Sequence, residues 1–131
     1  MIPGGVDVRT RISSMALLVV LVASVAGAAP DITGRWTASF DTQIGRQDYT
    51  YQFQLKGSTL TGRASSDNGE SDIQNGKVAG DKVTFLENFR YQGTTIPITY
   101  TGTILSAGEI RFIRQVGELA TEEFVATRVK P

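Results

Sequence analysis

Seven glycines, Gly45, Gly57, Gly69, Gly80, Gly93, Gly108 and Gly117, punctuate this chain at mostly 11–13-residue intervals. Between them, apolar and polar residues alternate. Asn68-Gly69 and Gly80-Asp81 carry the chemistry of tight hairpin turns, which need positive φ. Seven turns imply eight short strands, a rhythm that belongs to sandwiches and barrels.

The alternation runs at period two. Trp36, Ala38 and Phe40 alternate with Arg35, Thr37 and Ser39; Tyr49, Tyr51, Phe53 and Leu55 alternate with Thr50, Gln52, Gln54 and Lys56. Val83 and Phe85, then Ile96, Ile98 and Tyr100, then Ile110 and Phe112 continue the pattern, and Phe124, Ala126 and Arg128 close it. Leu60 and Ala64 flank Gly62, while Ile73 and Val78 anchor a weaker fourth strand. One apolar and one polar face per strand describes an antiparallel sheet wet on one side. No segment carries a helical stripe long enough to compete. The expected fold is all-β, an eight-stranded antiparallel up-and-down barrel, because closing the meander removes exposed edge strands. Glycines inside strands, as in Thr61-Gly62-Arg63 and Thr101-Gly102-Thr103, suit the crowding of barrel bends.

The first thirty residues read differently. All eleven aromatic residues lie at or after Trp36. Arg9 and Arg11 precede an apolar run from Met15 to Val22, and Ala26-Gly27-Ala28 follows. A positive start, a short apolar middle and a small-residue end make up a secretory signal. The run is shorter than the roughly 20 residues that span a bilayer. Residues 1–28 are therefore expected to be a signal peptide and 29–131 a single barrel domain, exported to a periplasm or secreted.

Composition excludes much chemistry. The chain has no cysteine and no histidine, with 13 basic and 13 acidic residues. Absent cysteine removes disulfides and thiolate metal sites, and absent histidine removes the usual neutral-pH base. Taking away Asp7, Arg9 and Arg11 leaves 12 acidic and 11 basic residues, a net charge of −1. Such balance gives no footprint for nucleic acid. A monomer with no stable membrane insertion after cleavage is expected.

Gly34-x-Trp36 on the first strand, the eight-strand meander and Arg128 on the last resemble the calycin superfamily of lipocalins and avidins. There a first-strand Trp closes one barrel end and a C-terminal Arg packs across it. The resemblance implies a structural cap formed by Gly34, Trp36 and Arg128, with guanidinium stacked on indole. Avidins hold biotin with several tryptophans; this chain has one. It is most similar to small exported lipocalin-like domains of bacteria, which occur alone or beside carbohydrate-active enzymes.

Eight strands enclose just enough space to be filled by side chains or to hold one small ligand. Glu87 and Phe89 share the parity of Val83 and Phe85, and Arg114 shares that of Ile110 and Phe112. With the hydroxyls of Tyr49, Tyr51 and Tyr100, a carboxylate, a guanidinium and three phenols would converge inside. The expected ligand site is therefore Tyr51, Phe53, Phe85, Glu87, Tyr100, Phe112 and Arg114, taking a small apolar or amphipathic molecule. The competing reading makes Glu87 and Arg114 an ion pair near the barrel mouth, with the rings as core.

Two further functions are compatible with these residues. An interaction module would meet a carbohydrate or an enzyme through its outer face, with Phe89 and Tyr91 as the expected exposed rings. A hydrolase acting through Glu87 lacks an evident second carboxylate on the same face; Glu118, Glu122 and Glu123 read as a solvated rim. No catalytic residue, metal ligand or cofactor is assigned. Asp67, Glu70 and Asp72 around Asn68-Gly69 are the nearest approach to a calcium loop.

Overall fold

Alternation of one apolar with one polar residue forces each strand to bury a single face, and a closed sheet is the way to bury all of them at once. A computed structural model describes residues 30–131 and shows that solution. The expected signal peptide, residues 1–28, lies outside the described residues. Eight strands follow in order: β1 (Gly34–Thr42), β2 (Gly45–Lys56), β3 (Thr59–Ser66), β4 (Gly69–Ala79), β5 (Lys82–Tyr91), β6 (Thr94–Ser106), β7 (Glu109–Val116) and β8 (Ala120–Arg128). Each pairs antiparallel with the next. The barrel closes where β1 meets β8, through Trp36 opposite Arg128 and Thr37 opposite Thr127. The all-β, up-and-down barrel expected from the sequence is the fold observed.

Inward positions carry the core: Trp36, Tyr51, Phe53, Phe85, Tyr100 and Phe112 are all buried, with smaller residues between them. Outward positions such as Arg35, Thr37, Ser39, Gln52 and Gln54 are exposed. This is the reverse of a lipid-facing barrel, whose outer band is apolar. Among the described residues no helix is long and apolar enough to cross a membrane.

Strand parity breaks once, in β4. Ile73 and Val78 both point inward although an odd number of positions separates them. The register with β5 shifts between Gln74 and Lys77, and Asn75 takes φ of 55°. The extra residue of this bulge restores the inward direction. On β3, Gly62 sits at φ of 153°, and a Cβ there would stand 1.8 Å from the Gln52 carbonyl oxygen. Glycine is required by backbone approach at a bend, not by a ligand.

One end of the barrel is sealed. Trp36 is fully buried, and its indole N–H donates to the Ile32 carbonyl at 2.9 Å. Arg128 lies 4.7 Å over the indole ring. Its Nε donates to Ala107 O, Nη1 to Thr33 O and Nη2 to Asp31 O, at 2.7–2.9 Å. Beneath it Gly34 takes φ of 138°, and a Cβ there would crowd Arg128 Nη1 at 3.1 Å. The cap thus ties the segment before β1, the β6–β7 turn and β8 together.

Candidate functional site

Odd-numbered strands run away from the sealed end, so the turns β1–β2, β3–β4, β5–β6 and β7–β8 surround the opposite end. Here the inward row turns polar on several strands, with Gln47 on β2, Glu87 on β5 and Arg114 on β7. Glu87 on β5 and Arg114 on β7 are buried, at 2% and 3% exposure. Both hold the parity of the apolar residues before them, which is why they point inward.

These groups form one closed hydrogen-bonded network. Tyr49 OH donates to Glu87 Oε2 at 3.0 Å, and Tyr100 OH donates to Glu87 Oε1 at 2.7 Å. Each phenol in turn accepts from Arg114: Tyr100 from Nε and Tyr49 from Nη2, both at 2.9 Å. Tyr100 has spent its only proton on Glu87, so Tyr51 OH is the donor in their 3.0 Å contact. Ser71 Oγ adds a long contact to Glu87 Oε2. Arg114 Nη1 donates to Glu122 Oε1 on β8. Among the described residues no buried side-chain nitrogen or oxygen lacks a partner, as buried polar networks require.

The electrostatics follow from burial. Loss of hydration drives the Tyr51 and Tyr100 hydroxyls well above their ordinary pKa, and burial reinforced by the Glu87 charge raises Tyr49 as well. Burial works against the charge of Arg114, but the surrounding phenols outweigh it and its pKa is raised. Aromatic faces enclose the guanidinium, with Phe40 at 5.1 Å and Tyr49 at 4.9 Å.

Of the seven residues expected to form the ligand site, all lie inside the barrel and close to one another. Tyr51, Phe53, Phe85, Tyr100 and Phe112 pack ring against ring; Phe85 and Tyr100 stack at 4.3 Å, and Phe112 meets Tyr100 edge-on at 5.7 Å. Glu87 lies on the mouth side of them, bonded on both oxygens. Of the seven, Arg114 alone lines the opening at the mouth.

That space is a pocket of about 190 Å³ at the barrel mouth. Its walls are Ile44, Phe89, Tyr91, Ile96, Val116 and Leu119, and its floor is Arg114 and Glu122. Ile44 and Leu119 are the most exposed of these, at 44% and 62%. Gln43 ties the two rim turns together through a bond to Leu119 O, and Gln47 accepts from the Asn68 amide at 2.9 Å. The size exceeds the roughly 150 Å³ apolar cavity that admits benzene. It falls below the roughly 300–1,000 Å³ of drug-sized sites.

Several expectations are corrected here. Phe89 and Tyr91 are not an exposed outer pair: they are half-buried, stacked at 6.1 Å, and line the mouth. Glu122 is not a solvated rim residue; only 10% of its side chain is exposed. It shares the inward parity of Phe124 and Ala126, the signal that could have found it. Glu70 and Asp72 pair instead with Arg63, at 3.6 Å and 3.3 Å.

Charge is distributed along the barrel axis. Dividing each strand at its midpoint, the mouth half holds Asp41, Asp48, Asp67, Glu70, Asp72, Glu87, Glu118, Glu122 and Glu123 against Arg46, Arg63, Arg90 and Arg114. The sealed half holds Asp31, Asp81 and Glu109 against Arg35, Lys56, Lys77, Lys82, Arg111, Arg128 and Lys130. Nine acidic groups against four basic ones make the mouth half net −5, and three against seven make the other net +4.

No family model matches this chain, and the searches of curated proteins and of solved structures returned no similar protein.

Proposed function

We propose that this chain is an exported, monomeric, lipocalin-like barrel that binds a small amphipathic molecule at its open mouth. The observation that carries this reading is the pocket itself: six apolar or aromatic walls over a floor of one guanidinium and one carboxyl group. Concave apolar surface with few polar groups is what small-molecule sites share. The packed rings lie below that floor as core rather than as the binding volume. The pocket's size selects a single ring or a short chain, of about ten non-hydrogen atoms. The calycin-type cap of Gly34, Trp36 and Arg128 closes the far end, which leaves the mouth as the entrance. Export rests on the signal-like pattern of residues 1–28.

Two measurements test this. Native and denatured masses of protein purified from an exporting bacterial host are compared; the denatured mass should correspond to cleavage after Ala28. A mass equal to the full chain removes the export reading. Titration with 2-phenylethanol, followed by NMR, should shift resonances of Tyr91, Ile96 and Leu119. Shifts confined to other surfaces, or none at all, remove the mouth as a binding site.

A further inference from the structure

Resting on the mouth-pocket reading, we infer that the ligand is an organic cation: an apolar body carrying one ammonium group, which pairs with Glu122 on the pocket floor.

Three observations lead there. The first is the state of Arg114. Its Nε, Nη1 and Nη2 already donate to Tyr100, Glu122 and Tyr49, and two aromatic rings cover its faces. At 3% exposure it has little to offer an incoming anion. The second is Glu122. Its Oε1 accepts from Arg114, whereas Oε2 has no hydrogen-bond partner among the described residues; the residue lines the mouth pocket and also the outer groove beside Arg46. Because no fully buried side-chain polar atom among the described residues is unpartnered, that oxygen keeps some contact with solvent. A carboxylate oxygen accepts only, so its complement is a donor, and a cationic donor forms the stronger bond.

The third is charge balance. Two carboxyl groups, Glu87 and Glu122, face one guanidinium in the inner cluster, and Arg114 and Glu122 are the only charged residues lining the pocket. A bound ammonium offsets the excess; a bound carboxylate enlarges it. Phe89 and Tyr91, stacked on one another, line the wall with aromatic rings, which also favour a cation. At longer range the mouth half, net −5 against +4 for the sealed half, draws cations toward the opening.

The test is a matched series on the purified full chain: 2-phenylethylamine, 2-phenylethanol and phenylacetate, titrated by NMR at low salt. The three share a ring and differ in head-group charge. The amine should bind at least tenfold more tightly than the alcohol, and phenylacetate most weakly. Raising the salt concentration should weaken the amine and leave the alcohol unchanged. Glu122→Gln should abolish the preference for the amine, so that amine and alcohol bind this variant with equal affinity. Alcohol or phenylacetate binding as tightly as the amine overturns the cation inference and leaves the mouth reading standing. So does an amine affinity indifferent to salt, a readout that needs no variant. If no compound moves a mouth resonance, the mouth reading falls and this inference with it.

Discussion

Arg114 and Glu87 are joined without touching: Nη2 and Oε1 lie 4.0 Å apart, and the hydroxyls of Tyr49 and Tyr100 span the gap between them. Each phenol accepts from the guanidinium and donates to the carboxylate. The ion pair is thus satisfied in the interior by four hydrogen bonds through two rings that are also core. Removing the cation leaves Glu87 buried without it and takes from Glu122 its ion-pair partner. Arg114→Met should lower the unfolding free energy by about 3–5 kcal/mol. Glu87→Gln, which keeps an acceptor, should cost about 1–3 kcal/mol. Urea unfolding of both, with the double variant, should show a loss smaller than the sum.

Alkaline pH attacks the same network. Tyr49, Tyr51 and Tyr100 have pKa values raised in the folded state above the unfolded value of 10.0, first by burial. Above pH 10 the unfolded chain releases these protons while the folded barrel retains them, so stability is intact below that value and falls as pH rises. Three such phenols give a slope of up to about 4 kcal/mol per pH unit. Unfolding curves between pH 9 and 11.5 measure it, and Tyr51→Phe should flatten the slope by about a third. A stability profile flat to pH 11.5 contradicts the network.

Arg128 is a geometric device more than a charge. Its fork reaches three carbonyls while its face covers Trp36. Lysine keeps the charge but not the fork. Arg128→Lys should therefore cost about 2 kcal/mol and shift the indole emission to the red as water reaches the ring. Emission unchanged from the parent would show that Ile32 and the core seal the indole without Arg128.

The rim separates binding from stability. Leu119 is 62% exposed and sits in the β7–β8 turn. Leu119→Asp should change the unfolding free energy by no more than about 0.5 kcal/mol. Its dissociation constant for 2-phenylethanol should rise by about tenfold, since losing one apolar wall and adding a charge removes about 1.4 kcal/mol. Unaltered affinity would place the ligand away from this wall.

Most of the barrel was legible because its two signals are local. Turn glycines count the strands, and parity assigns each residue a face. Parity alone places Glu87 and Arg114 inside beside three tyrosines. It fails at Ile73 and Val78, where the β4 bulge adds a residue that no alternation encodes. Glu122 was missed because Glu118, Glu122 and Glu123 form an acidic run, and composition there speaks louder than parity. The pocket was displaced for a different reason. Sequence gives the lining of the interior but not its packing density, and the rings of Tyr51, Phe53, Phe85, Tyr100 and Phe112 fill the middle. What stays open is the flared mouth, whose walls Ile44 and Leu119 come from turns that face assignment does not reach.

The short seam between β1 and β8 fixes when the barrel can be completed. All other pairings join strands adjacent in sequence, so seven hairpin contacts each close a short loop. Trp36 meets Arg128 only when the intervening chain has been made. Closing that loop rather than one of about 15 residues costs roughly 1.5 kcal/mol more in chain entropy. In the closed barrel β8 covers the edges of β1 and β7, and its Arg128 covers the indole. Arg128, the final residue of the final strand, is the clasp of that closure.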